Sequence, residues 1–278
     1  EVSYLSAVAL YTRSEMTAAL DRFARALALL DTSAEPSDRL RADILQWRSR
    51  CYRRLRDLEA AREDVDAALE LCESLGERRR SAEVYLQASL VAEREGRWVL
   101  ARRHGETSVQ LFREVGDELT VGRVLNNLAI YNALLGTEET AVAQLREAFA
   151  IFVEAGLEAE AGYVVGSLAE IQRKRGHLDQ AESAARRALQ LLDGRVDHIQ
   201  EVGTAQLVLA LVHLDQHELD EAEEILSDAE TSYAATQSVS HQARAWIARG
   251  DLASRRDDAV EAARLYRQAA IALQPLDA

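Results

Sequence analysis

The sequence predicts an all-α fold of seven tandem helix–turn–helix repeats, an α-solenoid. Three observations predict it: a small-residue context that returns at a near-constant interval, glycines locked to the same phase, and a composition that favours helix throughout. The context is marked by Ala26 and recurs at Ala68, Ser108, Ala148, Ala188, Ala229 and Ala269, so the intervals are nearly equal along the whole chain. Seven residues before each of these anchors stands an alanine: Ala19, Ala61, Ala101, Ala141, Ala181, Ala222 and Ala262. Seven residues is two helical turns, so both small residues share one helix face and admit a close neighbour. Two prolines in 278 residues, with abundant Ala, Leu, Glu and Arg, leave little to interrupt helices.

The repeats follow in order. Repeat one, 1–34, carries Ala19 and Ala26 in its second helix. Repeat two, 35–78, adds Ser49 and Tyr52 ahead of Ala61 and Ala68, and ends on "SLGERRR" with Gly76. Repeat three, 79–118, turns at Gly96 in "REGRWVLA" and closes at Gly116 in "EVGDELT". Repeat four, 119–158, turns at Gly136 in "LLGTEETA" and closes at Gly156 in "EAGLEAE". Repeat five, 159–198, turns at Gly176 in "KRGHLDQA". Repeat six, 199–239, and repeat seven, 240–278, keep the alanines but lack the turn glycine. Glycine just past a helix end supplies a left-handed cap at little steric cost. Each repeat therefore reads as helix A, a tight turn, helix B and a second turn, giving fourteen helices.

A small residue, a large one three later, alanine nine later and alanine seven after that resembles the tetratricopeptide signature. Ser49, Tyr52, Ala61 and Ala68 carry it, as do "NNLAIYNALLG" before Ala141 and "GSLAEIQRKRGHLDQA" before Ala188. Repeat six matches least, with His213 at the aromatic position. The period exceeds the usual 34 residues by about six. Versions with this longer period resemble those in kinesin light chain, Pins-type scaffolds and the sensor regions of bacterial multidomain transcription regulators. The resemblance implies one elongated superhelical domain over 1–278, with the A helices on the concave side and the B helices on the convex side.

Composition narrows the function. A net charge of −14 argues against direct nucleic-acid contact by this region, which needs excess positive charge. No apolar run approaches the roughly 20 residues of a membrane helix, and no signal peptide is visible. Cys51 and Cys72 read as reduced packing thiols of a cytoplasmic protein. Lys174 is the sole lysine, an arginine skew that fits a GC-rich bacterial genome. The chain begins at Glu1 and is expected to be a piece of something longer or a processed product.

No phosphate-cradling loop, nucleophile elbow or zinc motif is present, so no catalytic residues, cofactor or metal are expected. His213 and His217 share helical spacing but have no third ligand nearby, and acidic pairs such as Glu138–Glu139 read as solvated surface. Two register rows fall on the inner face of the A helices. One reads Thr12, Arg54, Arg94, Leu134, Lys174, Asp215, Arg255; its neighbour reads Tyr11, Arg53, Glu93, Ala133, Arg173, Leu214, Ser254. Arg50 and Arg123 lie near them.

The expected site is therefore Arg50, Arg54, Arg94, Arg123, Asn126, Asn127, Arg173 and Lys174. Arginine forks suit carboxylates, and the resemblance implies that an asparagine at Asn127 bonds the backbone of an extended peptide. The alternative for the arginines is pairing with acids on adjacent helices. Repeat six shows an apolar face of Leu207, Val208, Leu211 and Leu214, which either receives apolar ligand side chains or, the favoured expectation, is covered by a segment outside the chain. "LYRQAAIALQPLDA" lacks the polarity expected of a terminal cap.

The function expected is a protein- or peptide-binding repeat domain, the sensing part of a larger bacterial regulator, with a protein or peptide partner of acidic character. The alternatives are a constitutive scaffold that self-associates into a homo-oligomer, or the recognition arm of an enzyme whose catalytic domain lies elsewhere.

Overall fold

A computed structural model describes residues 2–33, 37–236 and 238–274. The described residues form fourteen α-helices with no strand among them. The A helices are α1 (Val2–Thr12), α3 (Asp38–Arg54), α5 (Arg78–Arg94), α7 (Glu118–Leu134), α9 (Glu158–Lys174), α11 (Ile199–Asp215) and α13 (Val239–Arg255). The B helices are α2 (Met16–Asp31), α4 (Leu58–Leu75), α6 (Trp98–Glu114), α8 (Glu138–Glu154), α10 (Leu178–Leu192), α12 (Leu219–Thr236) and α14 (Ala259–Leu273). A short 3₁₀ turn, Val196–His198, precedes α11.

Every anchor and every alanine seven before it is buried. Ser108, the one anchor that is not alanine, explains itself: its hydroxyl donates to the Ala82 carbonyl at 2.9 Å across the A–B contact. The turns are more regular than the glycines announced. Gly96, Gly136 and Gly176 are left-handed, and so are Ser14, Arg56, His217 and Asp257, which occupy the same register position in the other four repeats. In all seven turns the next N–H closes back on the carbonyl five residues earlier, as in Arg97 to Ala92 at 2.9 Å and Glu218 to His213 at 2.9 Å. That is the helix-ending closure glycine normally serves. Asp57, Asp117 and Asp258 then accept from the first-turn N–H groups of the following helices, satisfying donors the helix itself leaves open.

Contacts group the chain into two compact units, Glu1–Gln144 and Leu145–Ala278. In the first, Phe23, Ile44, Val65, Cys51 and Cys72 are buried between paired helices, and α1, α3 and α5 also touch one another. In the second, α9, α11 and α13 likewise neighbour each other. The A helices thus form the inner layer of each unit.

Repeat six departs from expectation. Leu207 and Leu214 are buried with Leu226, Ala229, Tyr233, Ala245 and Leu252, Val208 packs in a neighbouring cluster, and Leu211 is partly buried against the first. These leucines are core, covered by α12 and α13 of the same unit. No outside segment is needed, because an A helix in mid-stack is flanked on three sides and its apolar stripe is correspondingly wide. The last four residues of the expected terminal cap lie outside the described residues.

Candidate functional site

The candidate residues fall in both units. In the first unit, α3 presents Trp47, Arg50 and Arg54 along one face, at the three- and seven-residue spacing that stacks side chains on successive turns. The Arg50 guanidinium sits 4.3 Å from the Trp47 ring centroid, and the Arg54 guanidinium 4.6 Å from that of Tyr11 on α1. Tyr11 and Trp47 meet edge to face at 5.3 Å. The result is a ladder of cation, indole, phenol and cation, in which each guanidinium is braced on an aromatic face.

Glu83 and Glu93 act on Arg50 and Arg53 only at a distance. Arg50, Arg53, Arg54 and Arg94 form no ion pair among the described residues, and the Nε atoms of Arg50 and Arg53 are buried without a hydrogen-bond partner. Burial pulls both guanidiniums below the usual arginine range, and for Arg53 the positive charge of Arg94 adds to the effect. The nearby carboxylate of Glu93 is held by the Tyr131 hydroxyl at 2.9 Å. A desolvated cation with no carboxylate in direct contact is costly, and an anionic group from outside would relieve the cost.

The other candidates are placed differently. Arg123 is exposed on α7 and Asn127 is half-buried beside it. Asn126 is 2% exposed, and neither of its amide atoms meets a hydrogen-bond partner among the described residues. In the second unit Arg173 donates to Asp215 at 2.7 Å, and Arg255 reaches the same carboxylate at 3.1 Å. Lys174 pairs with Glu170 at 3.0 Å, and Arg244 approaches Glu170 at 3.5 Å. Burial opposes ionisation of Glu170, but Arg244 and Lys174 outweigh it and hold its carboxyl below the usual range. Arg173 and Lys174 are thus members of an internal ion-pair network: acids on adjacent turns and helices already take up their charge.

Cys51 and Cys72 are free and buried, and burial pushes each thiol up to about 11, so both stay protonated and inert. His213 is buried with its Nδ1 2.5 Å from Glu218, while His217 sits in the left-handed turn, and no group of three metal-ligating side chains occurs among the described residues. No described helix is long and apolar enough to cross a membrane.

Residues 42–75 and 80–152 match models of the tetratricopeptide repeat. These segments are tetratricopeptide repeats. No curated protein matches the sequence. Among solved structures, RapI in its apo form is similar at TM-score 0.83 and 14% identity, over 98% of this chain and 96% of RapI. Aspartyl phosphate phosphatase F from Bacillus subtilis is similar at TM-score 0.78 and 13% identity, over 99% of this chain and 70% of that one. A signal transduction ATPase with numerous domains and a tetratricopeptide repeat sensor, from Pyrococcus horikoshii, reaches TM-score 0.75 at 14% identity, with 97% of this chain matching 41% of that protein. At such identities the likeness establishes a shared fold, tetratricopeptide-type pairs running beyond the segments the family models match.

Proposed function

We propose that this chain is the peptide- or protein-binding repeat domain of a larger bacterial regulatory protein of the cytoplasm, and that the A-helix face of its first unit binds an acidic segment. The observation that carries this reading is the set of arginines that form no ion pair among the described residues, Arg50, Arg53, Arg54 and Arg94, two of them braced on Trp47 and Tyr11. In a protein of net charge −14 such a local reversal of sign steers an anionic partner to one face. Asn127, beside them in sequence register, offers both donor and acceptor to a backbone.

The fold neighbours support a peptide ligand. One is a Rap protein complexed with Competence and Sporulation Factor; another is the Rap conjugation gene regulator of the plasmid pLS20 in complex with the Phr* peptide; a third is the quorum sensor NprR from B. thuringiensis. The phosphatase among the neighbours shares the fold, and the reading proposed for this chain is binding.

The test is fluorescence anisotropy with a panel of labelled acidic, neutral and basic peptides. Acidic peptides should bind, more weakly as salt rises, since exposed charge attraction is screened beyond about 8–10 Å. Arg54→Glu with Arg94→Glu should abolish that binding while leaving the thermal midpoint nearly unchanged. Normal binding by the double variant would refute the assignment of the face. Unfolding of the variant would show that these arginines serve the fold.

A further inference from the structure

Three troughs lie over A helices flanked by two B helices, and their linings share one register position, Arg48 in α3, Ala88 in α5 and Leu168 in α9; the same position holds Leu128 in α7, Leu209 in α11 and Arg249 in α13. Because the register repeats, the troughs serve as controls for one another. Between α2 and α4, over α3, Arg41 pairs with Asp31 at 2.5 Å and Arg48 forks onto Asp64 at 2.8 and 2.5 Å. Between α4 and α6, over α5, Arg62 pairs with Glu95 at 3.0 Å. On α13, at the same register position, Arg249 donates to Glu230 at 2.8 Å, and Arg256 pairs with Asp220 and Glu223 at 2.6 Å each. Each of these is closed by the protein's own ion pairs.

The trough between α8 and α10, over α9, is not closed. It lies wholly in the second unit and encloses about 640 Å³. Leu168 stands where two other repeats have Arg48 and Arg249 and two have Leu128 and Leu209, and here Phe149, Val165 and Ala184 complete an apolar floor. Arg146 on α8 and Arg187 on α10 line opposite walls. Both are exposed, and neither makes an ion pair or hydrogen bond among the described residues, although acidic side chains outnumber basic ones 47 to 33 in the chain. Asp179, at the start of α10, is the one acid on the lining.

We propose that this trough docks an acidic segment of a partner protein, seating an apolar side chain on Phe149 and Leu168 between Arg146 and Arg187. The apolar floor supplies burial and the two arginines supply sign selectivity, the division of labour seen when a hydrophobic anchor is ringed by charge. The site is separate from the arginines on the A-helix face of the first unit, so the two can be tested independently.

The experiment uses the full chain carrying Arg54→Glu and Arg94→Glu, which removes competition from the other face. The probes are two labelled synthetic peptides, Asp-Glu-Leu-Phe-Asp-Glu and its charge-swapped form Lys-Arg-Leu-Phe-Lys-Arg, read by anisotropy. The acidic peptide should bind at least tenfold tighter than the basic one. Leu168→Arg with Ala184→Asp rebuilds in repeat five the Arg48–Asp64 pair that closes the trough of repeat two, so it uses a solution the fold already contains. That closure should weaken the acidic peptide at least tenfold, with unchanged helical circular dichroism. Arg146→Glu with Arg187→Glu, both exposed, should do the same and keeps the test open if the closure variant fails to fold. Equal binding of the two peptides, no binding of either, or binding that survives both pairs of substitutions would overturn the proposal. So would sedimentation showing a dimer that only the trough variants dissociate, since the occupant would then be a second copy of this chain.

Discussion

Replacing helical glycine by alanine should have opposite effects at Gly166 and Gly203, although both lie buried inside A helices. Alanine is favoured over glycine in a helix interior by about 0.8–1 kcal/mol at either position. What differs is the space. A Cβ at Gly166 would meet nothing nearer than the Ala188 Cβ at 4.0 Å, an ordinary contact. A Cβ at Gly203 would lie 2.9 Å from Tyr233 Cε1 and 3.0 Å from Ser232 Cβ. Tyr233 cannot swing away: it is fully buried, its ring stacks on His241 at 5.2 Å, and its hydroxyl lies 3.3 Å from Thr204 Oγ1. Overpacking of this kind costs about 1–3 kcal/mol. Gly166→Ala should therefore stabilise by about 1 kcal/mol, and Gly203→Ala should destabilise by about 1 kcal/mol. With a urea m-value of about 3 kcal/mol per M, the midpoints should move about 0.3 M up and about 0.3 M down. Urea titrations followed by circular dichroism in the far ultraviolet measure this directly. A lower midpoint for Gly166→Ala than for Gly203→Ala would refute the packing argument.

Three further outcomes are expected. Arg56 and His217 hold left-handed backbone that costs about 1–2 kcal/mol for an L side chain, against about 0.5–1 kcal/mol of extra unfolded-state entropy for glycine. Arg56→Gly and His217→Gly should thus each raise the urea midpoint slightly, whereas Gly136→Ala should lower stability by about 1 kcal/mol even though its side has open space. Ala141→Leu should destabilise by about 1–3 kcal/mol in the same titration, because Ala141 is fully buried in α8. Burial holds His104 below the usual imidazole range, and burial with Arg244 does so for His241. A base whose folded pKa is depressed stabilises the fold above its unfolded pKa of about 6.5 and loses that contribution as pH falls through and below it. The thermal midpoint should therefore drop between about pH 7 and about pH 5, and His104→Gln with His241→Asn should flatten that slope.

The architecture was legible because small residues at fixed spacing admit few alternatives: every alanine at the anchor and seven before it is buried where the period put it. Gly96, Gly136 and Gly176 showed the turn in three repeats, while Ser14, Arg56, His217 and Asp257 gave no chemical sign of the same backbone, which register alone could have located. The candidate site was half legible. Register placed Arg50 and Arg54 on an A-helix face, but not their stacking on Trp47 and Tyr11, which depends on how α1 meets α3. The pairing of Arg173 with Asp215 had a signal, since the two stand one repeat apart in adjacent rows. Reading each row singly hid the pair. Leu207 and Leu214 misled because a wide apolar stripe looks the same whether a ligand or a neighbouring helix covers it. The α8–α10 trough escaped notice because it shows only when floor residues of different repeats are compared.

The recurrent left-handed closure makes this chain divisible. Since Arg56 and Gly96 end α3 and α5 with the same backbone and the same bond back to the helix, excising residues 57–96 joins Arg56 to Arg97 through an unchanged turn. Helix α3 would then receive α6 as its partner. It already carries Ser49 and Ala42 where α5 offers Ser89 and Ala82, the side chain and carbonyl that bond α6 at 2.8 and 2.9 Å. An excision out of step with the period would leave no such joint. Growth and loss by whole periods is thus an editing operation that this backbone permits at any of its seven joints, with half-repeats as the exchangeable parts.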